Sequence, residues 1–298
     1  MIFLLFAIIC SAAIPVLFKA FGRWNLNIQL VVPANYLACA VCGALFSGQL
    51  YWHTPQAGGL MLALTVVQGG LLAGNLFLLA HVSQTVSVAL AAFASRVSVA
   101  IPTAAAFFLF NDQLTGMKGL GIGLAVVALY LVTVSTGPTV SAVSNTAQTQ
   151  ASRSRALLVI VFFTFGLHFL FFKYVQQTYL TAETHHLYLG QSFLCAFFLS
   201  LAALFFAPTQ TESRKEQPRA KSIGWGMLLG LSNYIAVYLF MRALSMPGWE
   251  SSAVFPAFSF GVVLLSSVAA AILFVERLSR VQLIGLAVGL VSVVLLNQ

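Results

Sequence analysis

One stretch of the chain, "AAFASRVSVAIPTAAAFFLF" from Ala91 to Phe110, runs without a loop signal and carries a single permanent cation, Arg96, near its middle. A guanidinium presents a rigid fork of donors matched to carboxylates and phosphates. An arginine held in apolar surroundings is therefore a receptor for an anion unless the chain itself satisfies it. Other residues able to contact a solute stand in similarly apolar stretches: Asn35, Tyr36, Gln68, Asn75, His168, Gln191, Asn233, Tyr234 and Tyr238. Tyr234 and Tyr238 are one helical turn apart, on one face, and suit stacking on a flat substrate or simple packing. His168 is a candidate carrier of a coupling proton, or a satisfied core histidine. For every one of these side chains the competing role is a bond between helices, worth about 0.6 kcal/mol.

Other chemistry finds little support. Cys39 and Cys42 form a C-x-x-C inside an apolar span, where small-residue packing is the simpler role, and "ETHHLY" at 183–188 lacks the H-E-x-x-H spacing of a zinc helix. The sequence contains neither the strained serine elbow of a hydrolase nor a P-loop for ATP hydrolysis. A protein that is not an enzyme, with no cofactor and no metal, is expected.

The elements that must hold these residues follow from composition. The 298 residues are 60% hydrophobic and 7% charged, with a mean hydropathy of +0.97, whereas a soluble domain spends about 25% of its residues on charge. The apolar residues fall into ten segments of roughly 18 to 25 residues, each long enough to cross about 30 Å of hydrocarbon at about 1.5 Å per residue. The expected spans are 2–20, 31–48, 60–80, 84–110, 117–136, 156–175, 183–207, 223–243, 251–275 and 280–297. Lipid leaves no free backbone group satisfied, so the expected fold is an all-α integral membrane protein with ten transmembrane helices. The first segment lacks a basic start and a small-residue cleavage site, and Pro15 interrupts it, so it reads as a helix rather than a secretory signal.

The formal net charge of +8 is scattered through short loops, which argues against a nucleic-acid partner. Counted by alternate loops, Lys118, Lys173 and Arg242 lie on one side. Lys19, Arg23, Arg153, Arg155, Arg214, Lys215, Arg219, Lys221, Arg277 and Arg280 lie on the other. The positive-inside rule puts the second set in the cytoplasm and both termini outside. Lys19 and Lys173 are expected to anchor helix ends with their stems buried.

Arg96 lies thirteen residues after Ser83 and sixteen before Asp112, roughly 20 and 24 Å from the two ends of an ideal helix. A charge at that depth costs about 2.5–3.5 kcal/mol on insertion scales. No acid shares the depth: Asp112, Glu183, Glu250 and Glu276 sit near helix ends, and Glu212 and Glu216 in a loop. Two readings stand. Arg96 meets a ligand in a wet cavity, or it braces the bundle through backbone carbonyls, that of Ser98 being freed by Pro102. Pro15, Pro102 and Pro256 each expose backbone to a cavity or bend a helix around the bundle.

The chain also reads as two copies. A Ser/Thr-rich stretch at 137–155 has the composition of a linker, separating residues 1–136 from 156–298, and a second polar loop covers 208–221. "LFNDQL" in the first half answers "LFVERL" in the second, matching Asp112 with Glu276, Leu114 with Leu278 and then Gly121 with Gly285. "VLFKAF" around Lys19 more weakly answers "LFFKYV" around Lys173. Five spans per copy is an odd number, so the copies are inverted relative to one another, a transporter signature.

On these acidic-x-Leu junctions, the Gln282, Gly285, Gly289 ladder and Lys19, the whole chain resembles the drug/metabolite transporter superfamily, in its ten-helix EamA-type branch. The resemblance implies export or exchange of amino acids, metabolites, nucleotide sugars or drugs. It also implies a central cavity lined by helices one to four and six to nine, with five and ten peripheral. It further implies cytoplasmic termini, opposite to the charge bias. The leading expectation is a secondary transporter of a small anionic or zwitterionic metabolite, amino acids first, acting by alternating access as a monomer or homodimer in a bacterial inner membrane. The alternatives are an exporter of cationic drugs, whose four-helix relatives use a buried acid in helix one that this chain lacks, and an intramembrane enzyme, which would need a nucleophile and base at matched depth.

Overall fold

The computed structural model describes residues 2–47, 59–109, 115–134, 145–180, 185–206, 219–244 and 251–296. Among them every regular element is an α-helix: α1 (Ile2–Arg23), α2 (Ile28–Ser47), α3 (Gly59–Thr85), α4 (Val88–Val97), α5 (Ala100–Leu109), α6 (Gly116–Val134), α7 (Asn145–Tyr179), α8 (His185–Phe206), α9 (Arg219–Leu244), α10 (Ser251–Phe274) and α11 (Arg280–Leu296). Six of these are long and apolar enough to cross a membrane, and four shorter apolar stretches accompany them. The chain is a multi-pass membrane protein.

Its packing is that of a protein dissolved in lipid. Large apolar side chains face outward, as with Ile2, Leu5, Phe6 and Ile9 down one side of α1 or Ile160, Phe163 and Leu167 on α7. The interior mixes buried rings such as Phe18, Phe21, Tyr36 and Phe93 with many small residues and hydroxyls. Hydrocarbon gives no hydrophobic reward for joining helices, so close backbone approach and interhelical bonds carry the association. Gly226 and Gly230 of α9 lie against the carbonyls of Val31 and Asn35 on α2, with Ala34 and Ala38 beside them. The glycines that marked the repeat have the same use: Gly121 of α6 abuts Leu296 of α11, and Gly285 of α11 abuts Val132 of α6. Gly289 faces outward from that seam onto the ring of Phe93 in α4.

Helix ends follow local chemistry. Ser279 and Gln282 make a reciprocal capping box at the start of α11, with Ser279 N donating to Gln282 Oε1 at 2.8 Å and Gln282 N to Ser279 Oγ at 3.2 Å. Asn25 closes α1 with φ 52°, a left-handed turn that asparagine tolerates. Two departures from the expected spans bear on function. The expected fourth span is broken: α4 stops at Val97, Ser98 and Val99 form a turn, and α5 starts at Ala100. Also, α7 begins at Asn145, so the second half of the expected linker is helical. Asp112, Leu114, Glu183, Glu212, Glu216 and Glu250 lie outside the described residues.

The α2–α9 seam yields a test. A Cβ at Gly230 would overlap the Asn35 carbonyl oxygen, whereas one at Gly74 meets nothing within 4 Å. Gly230→Ala should lower the melting temperature of the purified protein, at a cost of about 1–3 kcal/mol, and Gly74→Ala should leave it unchanged or slightly raised.

Candidate functional site

The break in the fourth span sits immediately after Arg96 and has a visible cause. Pro102 has no N–H to give to Ser98 and disfavours helical backbone at Ile101. The chain answers with tighter bonds: Ile101 N donates to Ser98 O at 3.0 Å and Val99 N to Arg96 O at 3.4 Å. The Ser95 and Ser98 hydroxyls turn back onto the carbonyls of Ala92 and Ser95, at 2.8 and 2.7 Å. The Ser98 carbonyl therefore bonds to backbone, and the expectation that it would brace Arg96 is not met.

Arg96 points inward. Its Nη2 donates to Ser11 Oγ on α1 at 2.6 Å, and the guanidinium carbon lies 4.7 Å from the centroid of the Phe258 ring on α10. Phe258 is itself stacked on Phe240 of α9 at 4.2 Å, which fixes the ring under the cation. Ser11 and Phe258 are buried and Arg96 half-buried. Among the described residues no acid pairs with this cation, and the Ser11 hydroxyl is its one hydrogen-bonding partner. Its Nε and Nη1 make no hydrogen bond among the described residues. One face of the guanidinium is covered by a ring and one edge is held by a hydroxyl, which leaves its remaining in-plane donors for a carboxylate or phosphate.

The other expected site residues pair across helices instead of converging on Arg96. Asn233 Nδ2 donates to Asn35 Oδ1 at 3.4 Å, joining α9 to α2. Gln68 Nε2 and His168 Nδ1 are 3.5 Å apart, and Asn75 Nδ2 donates to Thr164 O at 3.4 Å, both joining α3 to α7. Tyr36 donates its hydroxyl to Leu72 O at 2.6 Å and stacks on Phe193. Tyr234 and Tyr238 stack on each other and on Phe46, and Arg242 Nε donates to the Tyr238 hydroxyl at 3.1 Å. Gln191 is half-buried on α8 and is not without a partner. Two of these amides retain spare capacity: Asn35 Nδ2 and Gln68 Oε1 have no partner although the residues are 0% and 1% exposed.

Sequence reasoning missed Ser11, Phe258 and the surroundings of Glu276. One hydroxyl among the small residues of an apolar helix, and one of 26 phenylalanines, carry no signal of their own. Lys19, expected as an interfacial anchor, forms an ion pair with Glu276.

No family model matches the chain. An uncharacterized protein of Haemophilus influenzae is 25% identical to it over 302 residues, covering 97% of this chain and 95% of that protein. The likeness therefore runs through all the helices named above, and the name of that protein assigns no activity.

An arginine kept for a ligand and one kept for bracing differ in the stability of the empty protein. With one neutral hydroxyl and one ring as its described partners, an Arg96 kept for a ligand is expected to be a net cost to the empty folded state. Arg96→Met should melt at or above the wild-type temperature in detergent, whereas a drop of several degrees would mark Arg96 as a brace.

Proposed function

We propose that the chain is a secondary active transporter of the drug/metabolite transporter type that moves a small anionic or zwitterionic metabolite, amino acids first, across a bacterial inner membrane. In this reading α4 and α5 together make one crossing and the chain crosses ten times, as two inverted copies of five spans. The cargo is a small molecule and the surroundings are lipid.

The observation that carries the proposal is the setting of Arg96: a cation at a break in an intramembrane helix, facing inward, with most of its donors free. Broken helices and unneutralised charge are expensive in hydrocarbon and belong where a cavity or a substrate repays them. Its two neighbours support the same reading, because Ser11 lies in the first half of the chain and Phe258 in the second. A carboxylate on Arg96 would thus sit where the two proposed copies meet, and relative motion of the copies would open it to one side or the other. Exchanging the two proposed copies turns the α2–α9 packing into α3–α8 and leaves α6–α11 and α2–α8 matched to themselves, and all four are extensive, which supports a two-copy arrangement.

The expected result is counterflow of labelled carboxylate solutes by the purified protein in liposomes, with Arg96→Ala lowering apparent affinity. A charge-assisted hydrogen bond is worth about 1.5–3 kcal/mol, so the loss should be about 10- to 100-fold, with Arg96→Lys in between. Equal transport of every carboxylate tested by wild type and both variants would overturn the assignment of Arg96.

A further inference from the structure

Lys19, Ser87 and Glu276 are far apart in sequence and meet at one end of the bundle. The Lys19 ammonium pairs with Glu276 Oε1, and the two side chains are only 18% and 11% exposed. The same Oε1 accepts from Val88 N at 3.2 Å, and Oε2 accepts the Ser87 hydroxyl proton at 2.7 Å. Ser87 is the N-cap of α4, its Oγ also accepting from Leu90 N at 3.3 Å. One carboxylate thus closes the positive end of α4, where a negative charge is favoured, and ties it to α1.

Glu276 reaches this position through a forced turn. Val275, which follows the end of α10, has φ 57°. A β-branched residue is strained there, and its side chain is 71% exposed, so burial returns nothing. The turn is held by Glu276 N on Ala270 O at 3.3 Å and by Arg23, whose Nη1 and Nη2 donate to the carbonyls of Leu273 and Phe274 at 3.2 and 3.4 Å. Arg23 also lies over the Phe274 ring at 4.7 Å. Near this end α1 also packs on α3, Gln84 Nε2 donating to Phe18 O at 2.8 Å. By contrast, α7 makes no comparable contact with α9 or α10 among the described residues.

These contacts differ in kind from the glycine seams. They are charged and polar, they sit at one end of the bundle, and they hold a strained turn. We propose that Lys19, Glu276 and the Ser87 cap form an ionic latch that keeps this end of the bundle shut, and that opening this end to solute breaks it. The latch rests on the alternating-access reading above, and its test needs no solute.

The test is a distance measurement. Spin labels at Thr85→Cys and Arg277→Cys, both exposed, are placed in a background lacking the four free cysteines Cys10, Cys39, Cys42 and Cys195. Pulsed electron resonance is then recorded in lipid nanodiscs. The intact latch should give mainly one short distance. Glu276→Gln and Lys19→Met should each raise the fraction at longer distance several-fold. Arg242→Gln, at a site joined among the described residues to Tyr238 and not to the latch, should not. Two short, unchanged distributions in variants that still elute as folded protein would overturn the latch. So would an equal lengthening in Arg242→Gln, which would mean general loosening. Failure of solute counterflow with the distance shift intact would remove the transport reading and leave the latch.

Discussion

Hydrocarbon contains no hydrogen-bond partner, and this single constraint organises the molecule. Every polar group carried into the membrane must be answered from within the protein. Hydroxyls return to their own helices, as Ser95, Ser98, Thr164, Ser192 and Ser200 do. Amides reach across, as Asn233 does to Asn35 and Gln84 to the carbonyl of Phe18. The carbonyls left over at the end of α10 are met by Arg23. Against that near-complete accounting Arg96 stands out, because a fork of five donors meets one hydroxyl. The imbalance is what singles Arg96 out as the candidate site.

Much of this was legible in the sequence, and for a physical reason. Element length is set by bilayer thickness and element type by the need for internal backbone bonding, so apolar runs give helices directly. The expected and observed ends agree closely for α6, α10 and α11. Pro102 was read with Pro15 and Pro256 as a kink in a continuous span, yet the fourth span breaks at Ser98 and Val99 while α1 runs unbroken through Pro15. Gly121 and Gly285, matched as repeat markers, and Gly289, noticed in the ladder of the last span, are places where α6 and α11, and α11 and α4, pack too tightly for a methyl group.

Pairings were not legible. Whether Asn35 meets Asn233 or a solute depends on how α2 and α9 are rotated about their axes. That rotation is fixed by Gly226 and Gly230, which read as ordinary apolar-helix glycines. Lys19 looked like a snorkelling lysine because its partner is 257 positions away. The start of α7 was hidden because the polar composition of 145–155 signals exposure to water, which a helix projecting beyond the membrane satisfies equally well.

The contact of Gly289 with Phe93 has a mechanical consequence. α11 is locked to α6 by Gly121 and Gly285, and it leans on α4 through a ring that leaves no room for a methyl group. Neither α6 nor α11 holds a candidate solute contact, yet both turn large side chains outward to lipid, among them Val126, Tyr130, Ile284 and Val291. A pair of helices so coupled transmits pressure from outside. The thickness of the surrounding bilayer, by tilting α6 and α11 together, would press on the segment that carries Arg96.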